Sequence, residues 1–366
     1  MANGSLNIQS IKQLTKFSLI TKFKKNLFKK EELLINVINK FNRNKQKIIL
    51  LINNNNSIVA TLTIGDIAKA LSKYKHTKIP IDKIANKNFL YMDYKIFLKD
   101  KDRKIFFNKN NLKNANYIPV LKNKKIISLI KIKRKIYPQK IPVVIMAGGK
   151  GKRLLPITKK IPKPMVKVNG IPMIESLINN FKEYKYKNFY ISVNYLKDKI
   201  KNYLKRKNLK VNIEYINEKK YLGTAGSLYF LKFVRNSEFN NDNLIVTNCD
   251  IDMSLNLESL IKFHNEKKSD FTIVSKLILN RSSFGIIEAK NFDVIRLQEK
   301  MEYEQFINCG IYVLKRRCLK ILQNNTRIEM NVFINKLIKK KFKVLKYPVV
   351  DEWKDLGQKK KLLISS

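Results

Sequence analysis

Acidic side chains are scarce in this 366-residue chain: 28 Asp and Glu face 76 Lys and Arg, a formal net charge of +48. A surplus of that size raises nucleic acid as a partner. The basic residues are spread over the whole chain, mixed with Asn and Ile, and no recognisable nucleic-acid module accompanies them, so nucleic acid is not an expected partner. The charge does favour encounter with anionic small molecules. Cysteine is as thin: Cys249, Cys309 and Cys318 are odd in number and share no CxxC spacing, which argues against a disulfide framework or a structural zinc site. The two histidines, His76 and His264, lie far apart and read as surface or packing residues. No apolar run approaches the roughly 20 residues of a membrane span, and no charged-then-apolar leader pattern opens the sequence. A cytoplasmic protein without a membrane partner is the expectation. Hydrophobic residues at 44% suffice for packed cores, and the length suits two domains.

Two patterns divide the chain. Residues 1–20 carry no clear signal. From there to residue 136 the elements recur weakly: an apolar helical stretch near 31–41, strands at 48–52 and 57–62 about an Asn turn, and a helix beginning near Asp66. Strands at 117–121 and 126–130 then repeat the strand pair, so an internal repeat of small α/β units is expected. A basic connector ends at Tyr137-Pro138. Beyond it, apolar strand runs alternate with amphipathic helices. That order predicts an α/β fold, a mostly parallel sheet covered on both faces, with ligands bound beyond the carboxyl ends of its strands.

The first such strand, Val143 to Met146, runs into Ala147-Gly148-Gly149-Lys150-Gly151-Lys152-Arg153. Bare backbone N–H groups beside fixed positive charge suit a polyanion, a nucleoside triphosphate above all. The loop is not G-x-G-x-x-G, since residue 154 is Leu. Nor is it a Walker loop, since Gly151-Lys152 is followed by Arg153. What it does have is Pro-Lys-Pro-Met, with Lys163, ten residues after Arg153.

That joint pattern resembles the sugar-1-phosphate nucleotidyltransferases over residues 141–366. Further motifs stand in the same order: Glu218-Lys-Lys-Tyr-Leu-Gly-Thr-Ala-Gly226, with Tyr221 in place of Pro; Asn248-Cys-Asp250, with Cys249 in place of Gly; Phe284-Gly-Ile-Ile-Glu288; Glu299-Lys300; Asn308-Cys-Gly-Ile-Tyr312; and Trp353-Lys-Asp-Leu-Gly357. The resemblance implies a Rossmann-like domain. In it a sugar-1-phosphate oxygen attacks the α-phosphorus of an NTP in line and pyrophosphate leaves, without a protein nucleophile. It assigns Arg153 and Lys163 to the phosphates as catalytic groups. Ala147, Gly148, Gly149, Gly151, Lys152, Glu218, Gly223 and Thr224 would hold the nucleotide. Asp250 and Asp355 would hold Mg²⁺, and Gly285, Glu299, Lys300 and Asn308 the sugar phosphate. A non-catalytic paralogue is the alternative.

In this family the residue five before Gly223 faces the base. Here it is Glu218, an acceptor-only carboxylate when ionised, which suits the adjacent N1–H and N2–H₂ donors of guanine. GTP is therefore the expected nucleotide, with other NTPs as alternatives. Residues 21–136 resemble a tandem CBS pair, whose Thr-x-x-Asp element corresponds to Thr63 and Asp66. The second copy has Lys131 and Arg134 in those places, so at most one adenine-nucleotide site is implied; a ligand-free structural module is the other reading. The whole is similar to CBS-containing glucosamine-1-phosphate guanylyltransferases of nonulosonic (legionaminic-type) acid routes, with mannose-1-phosphate guanylyltransferases next, and a homodimer is expected.

Overall fold

The computed structural model describes residues 16–41, 47–74, 76–110, 112, 115–133, 139–233, 241–253, 255–299, 302–349 and 353–357. Lys300 and Arg134, both singled out above, lie outside them. The chain divides into two compact units, 1–136 and 137–366.

In the first unit one strand order occurs twice. Leu27–Lys29 runs parallel to Ile48–Ile52, which pairs antiparallel with Ile58–Thr63. Met92–Asp93 likewise runs parallel to Tyr117–Lys122, which pairs antiparallel with Lys125–Lys133. Lys16–Ile20 adds an outer strand to the second set. The helix Ile64–Lys73 starts with a capping box. The Asp66 N–H donates to Thr63 Oγ1, and Asp66 Oδ2 accepts from the Thr63 N–H at 2.9 Å and hydroxyl at 2.7 Å. Thr63 and Asp66 thus satisfy the open N–H groups of a helix start. Lys131 sits within a strand with its side chain exposed.

The second unit is a seven-stranded sheet. Its strands in chain order are β1 (Val143–Met146), β2 (Asn188–Val193), β3 (Asn212–Asn217), β4 (Asn243–Asn248), β6 (Phe271–Arg281), β9 (Glu302–Lys315) and β10 (Val344–Val349). Short strands outside it include β5 (Ile251–Met253) and the hairpin of β7 (Ile286–Lys290) with β8 (Asp293–Gln298). The order across the sheet is β3-β2-β1-β4-β9-β6-β10, with β9 antiparallel to both its neighbours and every other pairing parallel. This is the mostly parallel α/β sheet expected from the alternating pattern. β1 shows why: all four residues are buried, Val143 and Ile145 feeding one core, Val144 and Met146 the other. The first face is covered by α1 (Met173–Glu183), α2 (Lys197–Lys207) and α3 (Leu257–Glu266) through Ile174, Leu177, Phe181, Ile200, Leu204 and Leu260. The second is covered by α4 (Met330–Lys339) and the 3₁₀ turns Gly226–Phe233 and Arg316–Ile321. The segment after Gly223 is a 3₁₀ run where the alternation of strands and helices calls for a helix. Among the described residues no helix is long and apolar enough to cross a membrane.

His264 of α3 is fully buried. Thr272 Oγ1 donates to Ser269 Oγ at 3.1 Å, so the 2.8 Å contact between His264 Nδ1 and Thr272 Oγ1 requires Nδ1 to carry the proton. Nε2 is then a buried acceptor with no partner among the described residues. Burial, helped by Lys315 and opposed by Asp270 and Asp242, pushes its pKa down to about 4. A folded-state pKa below the unfolded value means the unfolded chain binds the extra proton. Stability is therefore full above about pH 6.5 and lost as pH falls towards about 4, by roughly 3 kcal/mol in all. Urea midpoints at pH 7 and pH 5 should differ in the wild type. The difference should shrink in His264→Gln, and an equal slope in both would remove the assignment.

Candidate active site

The loop after β1 is shaped by a close approach. Gly151 has φ +64°, and a Cβ there would lie 2.9 Å from both Lys163 Cβ and Thr158 Cγ2. Thr158 Oγ1 donates to the Gly151 carbonyl at 2.9 Å. The missing side chain lets the segment that carries Lys163 lie directly against the loop. That segment is held from behind by α2 and the residues before it. The Tyr195 hydroxyl donates to the Thr158 and Lys159 carbonyls at 3.2 and 3.0 Å, and Lys199 Nζ to the Lys160 carbonyl at 2.7 Å. Pro162 and Pro164, both buried, flank Lys163 in a single 3₁₀ turn, fixing the backbone on either side of it. Of the three loop glycines only Gly151 uses positive φ. Gly148 serves close approach, since a Cβ there would meet Glu218 Oε1 at 2.9 Å, while a Cβ on Gly149 would meet nothing within 4 Å.

Lys163 Nζ makes an ion pair with Asp250 Oδ2, both side chains largely buried. Asp250 follows β4, and Asp355 is brought beside it by a small ribbon: β5 pairs antiparallel with β11 (Trp353–Asp355), setting Ile251 opposite Asp355. The Leu356 N–H donates to the Asp250 carbonyl and the Gly357 N–H to Asp355 Oδ1, each at 2.9 Å. Arg153 lies 3.5 Å from Asp355 Oδ2. A Cβ on Gly357 would press on Asp250 Oδ2 and lie 2.8 Å from Lys163 Nζ and 2.9 Å from Asp355 Oδ1, so a side chain there would have to push these groups apart. Burial pushes the Asp355 carboxyl up, but the Gly357 N–H, the Asp250 carboxyl, Arg153 and Lys163 together outweigh it and hold it below the usual range. Two neighbouring carboxylates suit Mg²⁺, a hard cation that accepts one or two such ligands with phosphates and water. Among the described residues no group of three or more His, Cys, Asp or Glu is placed to hold a metal ion.

Glu218 stands just past β3, 4% exposed. The Ser192 hydroxyl donates to its Oε1, and the Leu222 N–H to its Oε2 at 2.9 Å. Burial raises its pKa against the opposing hydrogen bonds of Ser192, Leu222 and Ser227. Each carboxylate oxygen therefore already accepts a bond within the protein, and it is their further lone pairs that remain for a ligand. The following loop is locked onto the residues before α4. Gly223, at φ +80°, passes so near that a Cβ would lie 2.4 Å from the Ile328 carbonyl oxygen. Ile328 N–H donates to the Leu222 carbonyl at 2.9 Å, and Ala225 N–H to the Ile328 carbonyl at 3.0 Å. Thr224 donates to Glu329 Oε2 from its N–H at 3.1 Å and its hydroxyl at 2.9 Å.

These parts enclose one cavity of about 620 Å³ beyond the carboxyl ends of β1 and β4. Of the residues singled out by sequence, Ala147, Gly148, Gly149, Gly151, Lys152, Arg153, Lys163, Glu218, Gly223, Thr224 and Asp250 line it. Asp355 adjoins it through Arg153 and Asp250. Gly285, Glu299 and Asn308 do not line it. Gly285 and Glu299 face each other at the open end of the exposed β7–β8 hairpin. Asn308, in β9, donates from Nδ2 to the Tyr312 hydroxyl at 2.7 Å and accepts from the Gly310 N–H. The cavity also includes Tyr221, Asn248, Cys249, Arg327 and Gly357, none of which had been given a site role. Four of these stand inside the motifs already quoted. Arg327 carries no sequence signal at all.

A family model described as nucleotidyl transferase matches residues 142–365. The bifunctional protein GlmU of Methanococcus maripaludis is 31% identical over 224 residues, covering 58% of this chain and 51% of that protein. The mannose-1-phosphate guanylyltransferase catalytic subunit beta of Xenopus tropicalis is 27% identical over 227 residues, covering 60% of this chain and 62% of that one. The chain thus spans about half to three fifths of the length of these curated relatives. Among solved structures, HddC of Yersinia pseudotuberculosis complexed with GMP-PN is 22% identical, with a TM-score of 0.49 over 62% of this chain and 97% of that one.

Proposed function

This chain belongs to the nucleotidyl transferase family, and within it we propose a guanylyltransferase that joins GMP from GTP to a sugar 1-phosphate, with glucosamine-1-phosphate or mannose-1-phosphate as the sugar. The observation that carries this reading is one cavity lined by a bare glycine loop, Lys163, Asp250 and Glu218. For the guanine part, the buried carboxylate of Glu218 and the guanylyltransferase name of a relative both speak.

The loop N–H groups between Gly148 and Gly151 and the exposed guanidinium of Arg153 bind the β- and γ-phosphates. Lys163 bridges the α-phosphate and the incoming sugar phosphate, neutralising charge where it builds as one P–O bond forms and the bond to pyrophosphate breaks. Positioning is the remainder of the work, and it needs no protein nucleophile. Asp250 and Asp355 would hold Mg²⁺, which supplies further charge neutralisation at the phosphates. In that state Lys163 gives up its bond to Asp250 for a phosphate oxygen. Gly285, Glu299, Lys300 and Asn308 would serve the sugar phosphate. For the N-terminal unit, a tandem CBS module, the reading is an adenine nucleotide at Thr63 and Asp66; Asp66 would then leave or share its role in the helix cap.

Pyrophosphate release across the four NTPs and several sugar 1-phosphates, with Mg²⁺ and with or without AMP, tests all of this at once. GTP should be used at least tenfold better than any other NTP. Turnover confined to UTP or dTTP would overturn the guanine reading, and no turnover with any pair would overturn the enzyme. A rate indifferent to AMP would remove the regulatory site.

A further inference from the structure

Tyr221 and Arg327 come from distant parts of the chain and meet on the wall of the cavity. The Arg327 guanidinium lies over the Tyr221 ring, 5.4 Å from its centroid. Its Nη2 also reaches Glu329 Oε1 at 3.4 Å, while Glu329 Oε2 takes the two bonds from Thr224. Glu329 therefore ties Arg327 to the loop that forms the same wall. Both residues belong to the Glu218 side. Tyr221 is three residues from Glu218, and burial raises its phenol, with the Glu329 and Glu218 carboxylates adding to the rise and Arg327 opposing it. Lys163, Asp250, Asp355 and Arg153 form a separate ion-paired group.

We propose that Arg327, carried on Tyr221 and tethered by Glu329, reads the base, donating a forked pair of N–H bonds to O6 and N7 of guanine. This rests on the guanine reading of the cavity. A guanidinium has donors only, in a planar fork that matches two adjacent acceptors. Guanine presents such a pair at O6 and N7. Adenine sets a donor beside N7, and the pyrimidines lack the second acceptor on that edge. Glu218, an acceptor, complements the neighbouring N1–H and N2–H₂ edge, so the two side chains divide the base between them. The Arg327 side chain is 67% exposed, so it has the freedom to swing onto a ligand and little role in packing.

The test compares GTP with 7-deaza-GTP, which lacks only the N7 acceptor, in wild type, Arg327→Ala and Arg327→Lys. Wild type should have a kcat/KM for 7-deaza-GTP about 10- to 100-fold below that for GTP. In Arg327→Ala the two nucleotides should become equal, through a fall with GTP. Arg327→Lys keeps the charge and loses the fork, so it should recover little of the ratio. Equal use of the two nucleotides by wild type overturns the inference and leaves the guanine reading standing. So does an Arg327→Ala loss that is the same for both nucleotides, which would assign the side chain to phosphate or loop. Wild type that ignores GTP altogether overturns the guanine reading instead, and this inference with it.

Discussion

Lys163→Met is expected to lower the rate of pyrophosphate release by about 10²- to 10³-fold, the usual effect of deleting one fixed donor from a phosphate- or oxyanion-stabilising site. Methionine is the informative replacement because the stem of Lys163 is itself structural: its Cβ and Cγ pack where a side chain on Gly151 would be. A thioether stem keeps that contact, so the loss reports on the ammonium group. The same substitution leaves Asp250 and Asp355 side by side with Arg153 as the remaining cation of the group. Uncompensated charge at a largely buried carboxylate is costly. The variant should therefore melt below wild type without metal and recover part of the difference when Mg²⁺ is added. Near-wild-type pyrophosphate release would remove Lys163 from the chemistry, whatever happened to stability.

How much of this was legible beforehand depended on range along the chain. β1 could be read because four apolar residues bounded by Gly announce a buried parallel strand, and each of its residues is buried. The grouping of Asp250 with Asp355 rested on motif order alone. Their proximity is made by two three-residue strands, β5 and β11, too short to show a period of their own. Glu218 was identified as a cavity residue, but Ser192, which occupies one of its oxygens, lies on a neighbouring strand, and register between parallel strands is not written in either sequence. The full length of β6, which runs past Val274 to Arg281, was not legible. It pairs with β9 on both sides of a bulge between Ile273 and Ser275, and beyond the bulge Lys276 to Leu279 are all half-buried instead of alternating. Arg327 was invisible for a related reason. An exposed Arg between Thr326 and Ile328 looks like any other surface cation in a chain of 76, and only the fold sets it over Tyr221.

Two glycines of the same cavity should answer very differently to one added methyl group. Gly223→Ala forces a non-glycine residue to hold φ +80°, and its Cβ would sit 2.4 Å from the Ile328 carbonyl oxygen and 2.8 Å from its carbon. Those atoms are backbone, fixed by the bonds to Leu222 and Ala225, and cannot swing aside as a side-chain tip would. The left-handed conformation alone costs about 1–2 kcal/mol, and relieving the clash means parting the two segments, for a total of about 3 kcal/mol or more. In a unit of this size that is a fall in Tm of about 6–12 °C. Activity should fall as well, because Thr224 and Glu329 would separate with the segments. Gly149→Ala meets nothing within 4 Å and is not held at a left-handed φ. Its Tm should stay within about 2 °C or rise slightly, since the unfolded chain loses freedom. Its methyl group nonetheless enters the space of the phosphate loop, so KM for the NTP should rise at least tenfold. The pair separates two uses of glycine in one site: Gly223 lets backbone pass backbone, and Gly149 leaves room for a ligand. A Gly149→Ala protein with wild-type KM would show that the nucleotide does not lie against this loop.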